Sequence, residues 1–291
     1  MDTSQQLYAE AASGWRRGLY DDVRHTFRAP VVNWIWRTLT ANEPAFARYL
    51  WGQVKPIFET AALGEFTFAF RDSVLSAVES AHDLPAYRRD DVDVSPAEYA
   101  ELRGQLATFD VVIPRLAVFF EVVDRSLRGE RVGGDPSGRA ATAPLPEWVD
   151  RDRGRPPTLA SFEAAPPEAA DAVDAVYDFH GFEDGLPSIY RCLLQWPGAF
   201  ATAWSDLEPV FRSDAFDRAV ERSQDLTTAF VDDVPHAPRL TPADLRAHGF
   251  DDATVADMAD LFAEFNRGSI ERVLPVVPVL ADAFDVAGER G

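Results

Sequence analysis

Two arginines stand where chemistry is easiest to build. Arg37 closes the triplet Ile35-Trp36-Arg37 and Arg191 closes Ile189-Tyr190-Arg191, and a guanidinium behind an aromatic ring offers a planar, bidentate grip on a carboxylate. The competing reading makes each arginine a buried tie to a carboxylate of the chain itself. Other chemistries find little footing. The five histidines, His25, His82, His180, His236 and His248, form no HExxH or HxH pair, and Cys192 is the sole cysteine, so neither a zinc site nor a CxxC redox pair is expected. No GxGxxG opens a helix, and GxxxxGK and GxSxG are absent, which removes dinucleotide binding, P-loop chemistry and a hydrolase elbow. No metal and no cofactor are expected. With 48 acidic residues, a single carboxylate carries little information.

The two arginines belong to a stretch that occurs twice. Pro44, Trp51, Pro56 and Phe58 recur at one constant offset as Pro197, Trp204, Pro209 and Phe211, and the triplets ahead of them lie one residue further apart. Phe109 and Phe262 keep the same offset, and Ser95-Pro96-Ala97-Glu98 falls near Thr241-Pro242-Ala243-Asp244. This is the mark of an internal duplication. Each copy would be a helical unit whose apolar face needs the other copy to cover it, an intramolecular pseudo-dimer with any cleft near its pseudo-two-fold axis.

The periodicity agrees with helices throughout. Leu7, Ala11, Trp15, Leu19, Val23 and Phe27 predict lead-in helices over 3–28. Further helices are expected from Pro44 through Pro56, over 66–81, from the capping box at Ser95 onward, and through the apolar run 113–127. Residues 129–169 change character, with Gly133-Gly134, Pro136-Ser137-Gly138, Pro156-Pro157 and Pro166-Pro167 among charges, and read as a linker. Seven helices are expected after it, over 170–179, 187–196, 198–212, 214–230, 241–247, 252–265 and 267–285, and strand signals are nearly absent. The expectation is an all-α chain with a first repeat at 1–128, a linker at 129–169 and a second repeat at 170–291.

The chain has 291 residues, 46% of them apolar, and a formal charge of −20 in which Lys55 is the only lysine. Such a surface repels nucleic acid and anionic membranes, so neither is expected as a partner. Acid excess with almost no lysine suits a salt-rich cytoplasm, where the Debye length shrinks to about 3 Å at 1 M salt. No apolar leader follows a basic start, and Val273 to Leu280 is broken by prolines and is too short to span a bilayer. A cytoplasmic protein is expected. Its partner would be a small anionic organic acid, and a homodimer is compatible with the sequence.

The duplicated helical layout, the segment Leu186-Pro187-Ser188-Ile189-Tyr190-Arg191 followed by Trp196-Pro197, and the long Pro-rich join together resemble the group I 2-haloacid dehalogenases. The resemblance covers nearly the whole chain. It implies a pseudo-dimeric enzyme with a cleft between repeats that accepts both enantiomers of small 2-halo acids, in which an aspartate activates a water for direct attack at C2. The residues expected to contact substrate are Trp36, Arg37, Ser188, Tyr190 and Arg191. The catalytic positions depart from the pattern: Ile189 stands where the aspartate is expected, and Ile113 where an asparagine would place the water, with Asn266 as its repeat partner. Asp184, Asp110 and Glu183 are close enough in sequence to act as weak substitutes. The alternative is a diverged, non-catalytic binder of small carboxylic acids. A relative of the helical alkylhydroperoxidases is the weakest reading, because Cys192 has no partner cysteine.

Overall fold

The computed structural model describes residues 1–134, 142–160, 165–183 and 185–291. Pro136, Ser137 and Gly138 of the expected linker, and Asp184, lie outside the described residues. Among those described there are twelve α-helices and no strand, only an isolated bridge between Thr60 and Pro144. The all-α expectation is borne out. The helices are α1 (Gly14–Phe27), α2 (Trp34–Asn42), α3 (Pro44–Phe58), α4 (Ala61–Glu79), α5 (Pro96–Leu127), α6 (Ala170–His180), α7 (Ser188–Leu193), α8 (Pro197–Phe211), α9 (Asp214–Asp233), α10 (Pro242–His248), α11 (Asp252–Arg267) and α12 (Val273–Ala283).

The chain forms two compact units. The first contains Met1–Phe66, Arg115–Arg151 and Thr227–Gly268; the second contains Thr67–Pro114, Asp152–Leu226 and Ser269–Gly291. Each unit draws on both halves of the sequence, so the compact units are not bounded at 128 and 169, where the repeats were expected to begin and end.

Within each unit the repeated residues build the same local geometry. In the first, Pro44 opens a 15-residue helix with Pro56 inside it. Trp51 meets the edge of Trp36 at 5.4 Å and 87° and lies 5.9 Å from Phe27. In the second, Pro197 opens another 15-residue helix, with Pro209 inside it. Trp204 meets Tyr190 at 5.6 Å and 86° and lies 6.0 Å from Phe179. Proline is accepted at the first helical position because that N–H has no intrahelical partner. Both tryptophans are buried, and the match is consistent with duplication.

Helix α5 carries the polar part of both cores. It starts at the expected capping box, where the Glu98 N–H donates to Ser95 Oγ and the Ser95 N–H donates to Glu98 Oε2. Arg115 and Asp150, both buried, pair at 2.8 Å in the first unit. In the second, Asp110 Oδ2 accepts from Arg71 Nε at 2.8 Å, from Arg153 Nη2 at 3.1 Å and from the Gly288 N–H at 2.9 Å.

The described part of the expected linker is docked rather than loose. Residues 153–158 run antiparallel to α5: the Arg155 N–H donates to the Gly104 carbonyl, the Thr108 hydroxyl to the Arg155 carbonyl, and the Thr158 N–H to Gln105 Oε1. Gly154 makes this approach possible. Its φ is +87°, and a Cβ there would lie 2.1 Å from Thr108 Oγ1. In the first unit Arg28 donates to the carbonyls of Leu145, Pro146 and Val149.

Helix boundaries differ most from expectation near the two ends of the chain; α4 also starts at Ala61 rather than 66, and α7 ends at Leu193 rather than 196. Residues 3–13 are not helical, and Trp15, placed in the apolar stripe by its spacing, is 42% exposed. The Asp2 carboxylate takes the Ser4 N–H and hydroxyl and the Gln5 amide, which competes with helix formation, and Gly14 sits at φ +55° where α1 begins. The Leu7 N–H then donates to the Arg37 carbonyl. The last helix begins at Val273 rather than 267, because Gly268 leaves α11 in an extended conformation.

Trp204→Ala is expected to lower stability by about 3–5 kcal/mol. Arg71→Met, which removes one of the donors to a buried carboxylate, should cost a similar amount, about 3–5 kcal/mol. Urea unfolding checks both, as a fall in midpoint at unchanged slope.

Candidate functional site

The triplet of the second repeat forms the short helix α7. Ser188 is half-buried at its first position, and Ile189 and Tyr190 are buried in the second unit. Ile113, on α5 in the same unit, is also buried. Both positions at which the resemblance calls for water-handling groups therefore present only hydrocarbon, which neither accepts a proton nor orients water.

Tyr190 does not offer a free hydroxyl. Its Oη lies 2.6 Å from His180 Nε2, and the His180 ring stacks on Phe182 at 4.8 Å. Burial, with the positive charge of Arg272 second, pushes the His180 imidazole down to about 3. Burial also raises the Tyr190 phenol well above its usual range. Both groups are neutral near neutral pH, and the hydrogen bond between them fixes the tyrosine ring. Sequence reasoning gave His180 no role. It ends α6, one residue past the Phe179 that packs on Trp204, and nothing in the sequence marks it as the partner of Tyr190.

The two arginines differ. Arg37 is buried, donates from Nε to Gln6 Oε1 at 2.9 Å and from Nη1 to the Val32 carbonyl at 2.7 Å, and stacks over Tyr8. Trp36 beside it is fully buried, stacked on Phe119 at 5.0 Å. Arg191 is half-buried, donates from Nε to the Ala160 carbonyl at 3.1 Å, and has no carboxylate partner among the described residues. Of the two arginines, Arg191 is the less buried, and it follows Ile189 and Tyr190 on α7.

The expected substitutes for the base fare unequally. Asp110 is buried and engages Arg71, Arg153 and Gly288 as an anchor; Glu183 is exposed, and Asp184 is not described. Asn266 donates to Glu121 at 2.8 Å and Asp124 at 3.0 Å in the first unit. Cys192 donates to Gln105 Oε1 at 3.0 Å, and burial pushes its thiol up to about 12, so it is not a ready nucleophile. Among the described residues no group of His, Cys, Asp and Glu could hold a metal ion, and no helix is long and apolar enough to cross a membrane.

His180 gives the protein a pH signature. Its pKa is lower in the folded chain than the 6.5 of a free imidazole, so the unfolded chain takes up the proton first as pH falls. Stability then declines below about pH 6.5 and levels off only near the folded pKa, with a slope approaching about 1.4 kcal/mol per pH unit from this one group. His180→Phe should flatten urea midpoints between about pH 4 and 6; an unchanged slope would mean that the imidazole does not stay neutral there.

Comparison with known proteins bears on the fold and on the resemblance. A family profile described as "Halocarboxylic acid dehydrogenase DehI" matches residues 30–162. An (R)-2-haloacid dehalogenase of Rhizobium sp. (strain NHG3) is 24% identical over 235 residues, which cover 79% of this chain and 88% of that protein. A solved D-2-haloacid dehalogenase in complex with L-LA superposes with a TM-score of 0.82 at 18% identity, over 96% of this chain and 95% of that one. A mutant D-2-haloacid dehalogenase with D-2-CPA gives 0.81 at 18% identity, over 97% and 95%. At that identity the structural likeness establishes the fold. Profile, relative and fold together bear out the resemblance read from the sequence: the chain is similar to the 2-haloacid dehalogenases and shares their helical fold.

Proposed function

We propose that this chain binds small carboxylic acids of the 2-halo acid class in a site built around α7, and that hydrolysis by the water-activating route is disabled in it. The observation that carries this reading is the burial of Ile189 and Ile113 in one compact unit, at the positions where the resemblance calls for Asp and Asn. A buried aliphatic pair favours the alkyl part of a ligand and excludes the water that would attack C2. Arg191, half-buried on α7, is the expected partner of the carboxylate, and Ser188 is the expected second donor. Tyr190, held by His180, serves as a wall.

The substitutions bear on rate more than on binding. A general base contributes roughly 10² to 10⁴ to a rate, and Asp110 is held by two arginines and a backbone N–H. The relatives' names fix their chemistry, not that of this chain, since one fold serves catalytic and non-catalytic members alike. The acidic, lysine-poor surface supports a salt-rich cytoplasm as the working environment.

The test is the double variant Ile189→Asp with Ile113→Asn, assayed for chloride release from both enantiomers of 2-chloropropionate at high salt. The expected result is release near background in the unmodified protein and a gain on the order of 10²-fold or more in the double variant. Brisk release by the unmodified protein, unaltered by Asp110→Asn and Asp184→Asn, would show that the reactive site lies elsewhere.

A further inference from the structure

We propose that a groove on the first compact unit, walled by α1, α3 and α10, is a separate binding site for a planar aromatic carboxylate. The groove has a volume of about 690 Å³ and is lined by Trp15, Pro44, Arg48, Tyr49, Gln53 and His248, among others. That size suits a ligand of one or two rings.

Three features of the lining identify the ligand class. The first is an exposed aromatic ring beside a stacked pair. Trp15 stands 42% exposed at the start of α1, although its position in the sequence stripe would have buried it. The Tyr49 and His248 rings stack on each other with centroids 4.1 Å apart and 29° between planes. Tyr49 and His248 also pack on Phe250, so the ring left for a flat ligand is Trp15, and a ring contact there adds to simple burial.

The second feature is charge. In a chain of net charge −20, none of the lining residues is a carboxylate, Arg48 is exposed at the groove, and Arg16 lies over the Trp15 ring at 5.2 Å. Asp244 acts on Tyr49 from the α10 side, so the attraction for an anion rests on Arg48 and Arg16. A guanidinium also pairs bidentately with a carboxylate.

The third feature is preorganisation. The Tyr49 hydroxyl donates to the Arg239 carbonyl at 2.8 Å, the Arg239 N–H donates to Gln53 Oε1 at 3.0 Å, and His236 Nε2 lies 2.7 Å from the Gln53 carbonyl. These bonds hold the α3 wall against the segment leading into α10, so Tyr49 and Gln53 have little side-chain freedom left to lose on binding. None of these residues belongs to the site around α7.

Titration calorimetry of the full chain with 1-naphthoate tests the proposal, with 1-naphthamide as the uncharged control. One saturable site is expected, at least tenfold weaker for the amide and at least tenfold weaker in Arg48→Glu and in Trp15→Ala. Both side chains are exposed, so the variants should keep the parent circular dichroism. Saturating 2-chloropropionate should leave the naphthoate affinity unchanged, which separates this site from the one around α7. Absence of saturable binding, binding indifferent to both substitutions, or competition by 2-chloropropionate would each overturn the proposal.

Discussion

Asp110 and Arg71 meet at 2.8 Å with neither side chain exposed, and much of the second unit is arranged to make that pair tolerable. A charge removed from water needs several hydrogen bonds at once. Arg71 comes from α4, Arg153 from the segment that precedes α6 and the Gly288 N–H from the chain's last residues, so one carboxylate gathers three separate stretches onto α5. Arg115 and Asp150 do the equivalent work in the first unit. A buried pair is weak support for net stability, but its geometry admits few alternatives.

That constraint explains why the segment joining the repeats is packed where it is described. Its composition of Pro, Gly and charge reads as loose, and composition alone cannot show that Asp150, Arg153, Arg155 and Thr158 each have a partner on α5. Gly154 is the residue that could have signalled close approach, since glycine is needed where backbone meets backbone. The same segment bonds to α7, through Ala160 and the Arg191 backbone, and so links the anchor to the proposed site.

The helical periodicity of α3 and α8, with proline at the first position of each, was legible because spacing and capping chemistry agreed. The matched tryptophans were legible for the same reason. The N-terminal segment was not. Leu7, Ala11 and Trp15 keep helical spacing, yet Asp2 captures its neighbours and Gly14 turns the chain, local effects that outweigh a weak periodic signal. In the candidate site, the identities of Ile189 and Ile113 were available from the sequence, whereas the His180 contact to Tyr190 required the fold, because a histidine ten residues away has no sequence mark of partnership. The difference between Arg37, buried on local partners, and Arg191, partly open, was hidden by the likeness of the two triplets.

The central claim is that binding survives while water activation does not, and these two properties can be read in one vessel. Titrating the unmodified protein with each enantiomer of 2-chloropropionate at high salt, with a chloride electrode in the cell, measures saturation and release together. The account predicts saturable binding of the acid with chloride remaining at background over many residence times. Saturation accompanied by steady catalytic chloride release would contradict it, and so would a complete absence of binding.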